Sequence, residues 1–339
     1  MRFFRFLLFP LTILYAIGIS FRNFFYNIGI IKSMTPEVKT IGVGNLSVGG
    51  TGKSVVTDYL ISLLKSDHQL ATLSRGYGRK TKGFYLANAE STALEIGDEP
   101  LMFYKKHPEI KVGVAENRNK GISELMALDN PPNLVVLDDC YQHRRLNAHF
   151  YILLTTFHQP FFDDYLLPTG DLREFSSAKE RADLVVVTKC PQQLTSTQRK
   201  AMTAQLRLSS KQTLCFANIQ YATKMRNAQR DMSLSVLEKI NFLLVTGIAQ
   251  PDLLIDFLKS KFLKFKHLNF GDHHNFSAKD IAKIRRESQG HMILTTEKDY
   301  VRLYPVMKSD LLFYLPITLG FDGDDKALFD QAVANALND

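Results

Sequence analysis

Residues 43–54 read Val-Gly-Asn-Leu-Ser-Val-Gly-Gly-Thr-Gly-Lys-Ser, an apolar run that turns through glycines into Gly52-Lys53-Ser54. That order suits a phosphate-binding loop. Glycines let the backbone N–H groups of Ser47, Val48, Gly49, Gly50, Thr51 and Gly52 curl round phosphate oxygens, at the positive end of the helix that follows. Lys53 then spans the β- and γ-phosphates of ATP, and Ser54 holds Mg2+. The pattern G-x-x-x-x-G-K-[ST] asks for glycine where Ser47 stands; Gly49 and Gly50 supply the missing backbone freedom.

A metal carboxylate belongs at the end of a neighbouring strand. The apolar run 133–138 provides it, ending in Asp138-Asp139. Asp138 is the expected Mg2+ ligand, with Asp139 a direct or outer ligand. Further on, Asp272-His273-His274 resembles the triplet by which some phosphoesterases hold Mn2+. That class needs further metal-binding acids early in the chain and has no phosphate loop, so the triplet is read differently here.

The elements that must position these groups follow from hydrophobic periodicity. Short apolar runs at 38–45, 69–74, 111–115, 133–138, 150–155 and 183–188 alternate with amphipathic stretches such as 52–65 and 116–128. Strands alternating with helices predict a mostly parallel sheet covered on both faces, an α/β fold. A second alternation runs from 242 to 337, with strands at 242–246, 265–270, 292–295 and 311–316 and helices at 250–259, 278–287 and 326–337. The stretch 190–230 is more polar, which places a domain boundary near 220. The expected organisation is an N-terminal segment over 1–32, a phosphate-loop core over 36–220, and a smaller α/β domain over 221–339 that closes over the site.

The first thirty residues stand apart. Residues 6–21 carry no charge, and Arg2, Arg5 and Arg22 flank them. Sixteen helical residues reach only ~24 Å, short of the ~30 Å hydrocarbon core. No clear small-residue cleavage site follows, which argues against a secretory signal. A buried core helix is the plain alternative. A shallow anchor fits better, its Phe-rich bulk in the bilayer interface and its arginines meeting anionic headgroups. Lys and Arg exceed Asp and Glu by 42 to 34. A membrane surface or a phosphorylated substrate explains that excess; no nucleic-acid-binding motif is present, so nucleic acid is not an expected partner. The three cysteines are scattered and form no C-x-x-C pair, which suits a reducing compartment.

Eight segments, in this order, resemble the tetraacyldisaccharide 4'-kinase family, the lipid A kinases of Gram-negative bacteria. They are residues 43–54, Ser-Arg-Gly-Tyr-Gly-Arg at 74–79, Gly-Asp-Glu-Pro at 97–100, Asp-Asp-Cys-Tyr-Gln-His at 138–143, Leu-Arg-Glu at 172–174, Arg-Ala-Asp at 181–183, Asp-His at 272–273 and Thr-Thr-Glu-Lys-Asp at 295–299. The family's phosphate loop also lacks the usual first glycine, and an apolar N-terminal membrane helix is a family feature. Cys140, Tyr141 and Phe175 depart from the family's usual glycine, phenylalanine and proline.

The resemblance implies a P-loop kinase that moves the γ-phosphate of ATP to the 4'-hydroxyl of a lipid-linked disaccharide 1-phosphate, giving lipid IVA, with Mg2+. It places the enzyme at the cytoplasmic face of the inner membrane, peripheral or monotopic, against inner-membrane lipids and with no obligate protein partner. It casts Asp98 and His273 as the acid–histidine pair that takes the hydroxyl proton, one from each domain, beside Lys53 as a catalytic cation. Arg75 and Arg79 are expected to meet substrate phosphate as a bidentate pair, Gln142 and His143 to line the same pocket, and Glu174 to orient metal-bound water or touch substrate. The role of Thr295 to Asp299 is open. The rival reading is a membrane-associated P-loop ATPase switch, which shares the loop, the acid pair and the anchor but has no need of Asp98, His273 or the arginine loop.

Overall fold

Strands whose every residue is buried make the centre of the first sheet: β2 (Leu70–Ser74), β5 (Leu134–Asp138) and β7 (Leu184–Thr188). Runs of Leu and Val without alternation are what a parallel sheet covered on both faces requires. The computed structural model describes residues 5–338; Arg2 lies outside the described residues.

The first sheet holds nine strands in the order β15-β8-β7-β6-β1-β5-β2-β4-β3. The others are β1 (Lys39–Asn45), β3 (Tyr85–Leu86), β4 (Lys111–Val114), β6 (Phe150–Thr156), β8 (Thr213–Tyr221) and β15 (Ile317–Phe321). All pairings are parallel except those of the two edge strands, β3 and β15. The second sheet has the order β10-β9-β14-β13-β11-β12. Its parallel part comprises β11 (Phe242–Thr246), β12 (Phe265–Asn269), β13 (Ile293–Thr296) and β14 (Leu312–Leu315), extended antiparallel by β9 (Lys224–Arg226) and β10 (Asp231–Ser233).

Strand β1 lies between β5 and β6, so the chain leaves it towards both halves of the sheet. Such a switch point opens a crevice at the carboxyl ends of the strands, where α/β proteins bind ligands. Helix α1 (Phe9–Asn27) precedes the sheet, α2 (Lys53–Leu64) opens directly after the glycine loop, and α3 (Asp98–Lys106) follows Gly97. In the second unit α6 (Asp252–Ser260), α7 (Ala278–Ser288) and α8 (Glu297–Met307) cover the sheet, while α4 (Arg118–Met126), α5 (Ser196–Leu206) and α9 (Asp325–Asn338) belong to the first.

The C-terminal residues correct the expected organisation. Residues 317–338, read as part of the second unit, return to the first: β15 pairs with β8, and Phe329 and Val333 of α9 enter the core formed by Ile61, Leu64 and Leu319. The chain therefore crosses between the sheets twice, after β8 and after β14, and Ala222 N–H donates to the Pro316 carbonyl at 3.0 Å where the crossings meet. The polar stretch after Cys190 also holds structure. Helix α5 begins on a capping box in which Thr195 and Gln198 satisfy each other's backbone N–H groups.

The N-terminal segment forms one helical rod, Phe6–Asn27, whose only buried residues are Thr12 and Ile19. Pro10 sits in the first turn of α1, where its missing N–H costs nothing. The stripe Thr12, Tyr15, Ile19, Arg22 and Tyr26 faces the protein. Thr12 Oγ1 lies 2.7 Å from Thr169 Oγ1, Tyr15 donates to the Arg173 carbonyl at 3.0 Å, and Arg144 stacks over Tyr26. Leu11, Leu14, Ile17, Phe21 and Phe24 are exposed on other faces. Of the flanking arginines expected to meet headgroups, Arg5 and Arg22 are paired with acids of the protein instead. Arg5 binds Asp171 at 2.9 Å and Arg22 binds Glu174 at 3.0 Å, so both charges bolt the rod to the core.

Candidate active site

The loop between β1 and α2 takes the shape its glycines permit. Gly49 and Gly52 have φ of 103° and 88°, values closed to most side chains. Neighbouring elements hold it open: Val48 N–H donates to the Asp171 carbonyl at 2.7 Å, and Thr188 Oγ1 to the Thr51 carbonyl at 2.7 Å. Val48, Gly49, Gly50, Thr51, Gly52, Lys53 and Ser54 line a cleft of about 460 Å³ between the two sheets; Ser47 stands behind it, bridged to Leu172. Lys53 Nζ donates to Asn45 Oδ1 at 3.2 Å and lies 3.6 Å from Asp139.

Register places the acids. Asp138 ends β5 opposite Val43 of β1, just before the loop begins. It is buried, and Thr57 Oγ1 of α2 donates to it at 3.3 Å. Burial, with the charges of Glu99 and Asp139 close by, pushes the Asp138 carboxyl up to about 7. Asp139 has a positive φ of 47° and turns the other way. Burial would raise it too, but Lys53 and Arg173, the latter at 3.2 Å, hold it below the ordinary carboxylate range.

Glu99 is a site residue to which the sequence reading gives no role. Its Oε1 accepts from Ser54 Oγ at 2.5 Å and from Lys298 Nζ at 3.2 Å, so it stands against both the phosphate loop and the second unit. The signal was present, since Glu99 follows Asp98 in the Gly-Asp-Glu-Pro segment, but only one of the two acids was assigned. Ser54, Glu99 and Asp138 offer hard oxygen donors, and the crowding of Asp138 by the acids Glu99 and Asp139, only partly offset by Lys53 and Thr57, fits a site built for a cation. Mg2+ ordinarily binds through one or two carboxylates and completes its shell with phosphate and water. Among the described residues no cluster of three or more His, Cys, Asp or Glu makes a self-sufficient cage.

Asp98 begins α3 and His273 follows β12, and the two meet across the cleft. His273 Nδ1 lies 3.0 Å from Asp98 Oδ2. Asp98 is buried; burial would raise its carboxyl, yet His273, Lys298 and Arg302 hold it low, so it is ionised. His273 itself has a positive φ of 54°, and the Tyr77 ring lies 4.8 Å from its own.

The Thr295 to Asp299 segment, whose role the sequence left open, builds the far wall. Thr296 caps α8 by accepting from Asp299 N–H at 3.1 Å. Asp299, fully buried, accepts from Gly247 N–H at 2.9 Å and pairs with Arg302. Arg302 reaches back to Asp98 at 3.7 Å. The cap thereby aims Lys298 into the cleft and Arg302 at the acid–histidine pair.

Two other expected site residues, Arg79 and Glu174, are committed to partners elsewhere. Arg79 was read with Arg75 as a phosphate-binding pair; its guanidinium is instead committed to Glu116 at 2.6 Å and the Gly83 carbonyl at 2.7 Å, and pins its own loop. Arg75 remains exposed. Glu174 was read as a metal or substrate ligand. It is fully buried, and its two oxygens bind Arg22 at 3.0 Å and Arg181 at 2.8 Å, which makes it the anchor of α1. Gln142 donates to the Asn45 carbonyl at 2.9 Å behind the phosphate loop. Among the described residues His143 makes no side-chain hydrogen bond; burial and the cations Arg118 and Arg75 push it down to about 4, so it is neutral.

The chain is similar to known proteins along nearly its whole length. The profile of a family described as tetraacyldisaccharide-1-P 4'-kinase matches residues 4–338. A curated tetraacyldisaccharide 4'-kinase from Flavobacterium psychrophilum is 44% identical over 337 residues, covering 99% of this chain and 97% of that one. One from Bacteroides thetaiotaomicron is 38% identical over 347 residues, covering 96% and 91%. Among solved structures, an apo form of LpxK from Aquifex aeolicus in complex with ATP superposes with a TM-score of 0.79 at 29% identity, covering 98% of this chain and 99% of that one.

Proposed function

The chain belongs to the tetraacyldisaccharide 4'-kinase family, and from that premise we propose how its residues share the work of an ATP-dependent lipid A kinase. The reaction moves the γ-phosphoryl group of ATP to the 4'-hydroxyl of tetraacyldisaccharide 1-phosphate. The single observation that carries the assignment of roles is the Asp98–His273 pair, contributed by two sheets and opening on the same cleft as the phosphate loop.

A sugar hydroxyl attacks phosphorus well only if its proton has somewhere to go. His273 receives it at Nε2, while Asp98 holds the opposite nitrogen and balances the imidazolium that forms. The backbone of residues 49–54 and Lys53 hold the β- and γ-phosphates, the Val48 N–H being taken by the Asp171 carbonyl, and Lys53 faces Asp139 so that its charge stays in place. Ser54, Asp138 and Glu99 are the residues that would hold Mg2+. The ion supplies positive charge to the β- and γ-phosphate oxygens when bound. The two units, one carrying Asp98 and the phosphate loop and the other His273, close over the substrate.

The substrate is a lipid, and α1 answers that need. Its exposed apolar faces rest in the interface of the inner membrane on the cytoplasmic side, where ATP is found, while its polar stripe grips residues 165–174 beside the cleft. Burial of one large apolar side chain is worth about 1.5–3 kcal/mol. Phe21→Asp is therefore expected to weaken partition into anionic vesicles at least about tenfold, with Tm unchanged because Phe21 is exposed. Undiminished vesicle binding in a sedimentation assay places the membrane contact elsewhere.

The deciding experiment measures ATP consumption with and without the tetraacyl disaccharide 1-phosphate. A kinase consumes ATP only as 4'-phosphate appears on the lipid. Consumption indifferent to the disaccharide is the behaviour of a switch and rejects the roles given to Asp98 and His273.

A further inference from the structure

Lys298 occupies the second position of α8, and its ammonium lies between three groups of the site: Glu99 Oε1 at 3.2 Å, His273 Nε2 at 3.3 Å and Asp98 Oδ2 at 3.9 Å. An ammonium can only donate. His273 Nε2 is therefore the acceptor in that contact, its proton sits on Nδ1, and Nδ1–H donates to Asp98. This is the tautomer a general base needs. The lone pair that must take the hydroxyl proton is the one Lys298 covers.

The same ammonium is also next to the phosphate side. Glu99 Oε1 accepts from Lys298 and from Ser54 Oγ alike, and Lys298 lines the cleft together with Lys53 and the glycine loop. Burial would lower its affinity for a proton, yet Glu99, Asp98 and Asp272 hold it above the ordinary lysine range, so it is cationic.

We propose that Lys298 is a further catalytic residue: its ammonium covers the His273 lone pair until the γ-phosphoryl oxygens of ATP draw it away, so the base is freed only where there is a group to transfer. The inference rests on the reading of Asp98 and His273 as the base. In the step itself the 4'-oxygen forms its bond to the γ-phosphorus as its proton passes to His273 Nε2. The bond from that phosphorus to the bridging oxygen breaks, and ADP leaves with the electron pair. Lys298 then stands opposite Lys53, so cations meet the moving phosphoryl group from both units, a placement that accelerates such transfers strongly.

The test uses the full-length enzyme with Lys298→Met and Lys298→Arg. Methionine keeps the stem and removes the charge. Its turnover is expected to fall on the order of 100-fold, with ATP affinity in equilibrium binding changed by no more than about threefold, since uniform binding is not what the lysine supplies. The acid limb of the kcat/KM profile should also move to higher pH. His273 then faces Asp98, Asp272, Tyr77 and Arg302 without the neighbouring cation that opposes its protonation. The arginine variant keeps a charge and should return that limb to its wild-type position. Turnover of the methionine variant within threefold of wild type overturns the proposal, as does a loss of turnover with the acid limb unmoved, which marks Lys298 as structural. A fully active His273→Ala enzyme removes the base reading instead; an inactive one beside an unimpaired Lys298→Met removes only the lysine's role.

Discussion

Asp98→Asn and His273→Ala are each expected to lower turnover by roughly 10²–10⁴, the usual worth of a positioned general base, and the double variant to be little slower than the worse single one. The reason is geometric. Asp98 Oδ2 and His273 Nδ1 are 3.0 Å apart, and the carboxylate, with Lys298 and Arg302 beside it, holds that ring and balances its charge. Without the carboxylate the ring loses its tautomer; without the ring the carboxylate has nothing to orient. Groups that act as one unit give strongly non-additive losses. ATP binding should be nearly intact in all three variants, because the phosphate loop draws on neither residue. Steady-state transfer assays with equilibrium ATP binding in parallel decide the matter. Losses that multiply, so that the double variant is slower by the product of the singles, mean two independent functions and end the shared-base reading.

How much of this was legible follows from where the information lies. The glycine loop and Asp138-Asp139 belong to short local segments whose residue types carry their chemistry, so they could be read directly, whereas Asp98 and His273 stood out only through the family resemblance. Lys298 and Arg302 could not, because their meaning arises only when α8 is laid against α3 across the cleft. Charge without its partner misleads in the same way. Arg79 and Glu174 read as free groups near a phosphate site, and only the fold reveals Glu116 and the Arg22–Arg181 pair that consume them. Arg5 and Arg22 beside the N-terminal helix mislead for that reason too, their partners Asp171 and Glu174 being distant in the sequence. Among the elements, the buried parallel strands announced themselves by unbroken apolar runs. Strand β15 escaped because its partner β8 is about a hundred residues earlier, and an edge strand needs only one apolar face. Helix α5 escaped because its surface is polar, though its capping box stood in the sequence.

Asp138→Asn is expected to remove transfer by on the order of 10²–10³ or more and, in metal-free buffer, to make the protein more stable. The two effects have one cause. In the folded chain the carboxyl is pushed up to about 7 by burial and by the charges of Glu99 and Asp139. In the unfolded chain it titrates near its ordinary value of 3.8. Between those values the folded state binds the extra proton, so this group's contribution to stability falls as pH rises through the window and is wholly lost above about 7. Asparagine keeps the acceptor that Thr57 Oγ1 uses and carries no charge, so it escapes the penalty. Wild-type Tm in EDTA should thus decline from pH 5 to pH 8 more steeply than that of the variant, which should melt a few degrees higher at pH 8. With Mg2+ and ATP the order reverses, because only the carboxylate gains from the cation. A variant that melts lower than wild type at pH 8 without metal shows that Asp138 is held by its neighbours rather than strained among them. Its burden would then be no sign of a cation site at all.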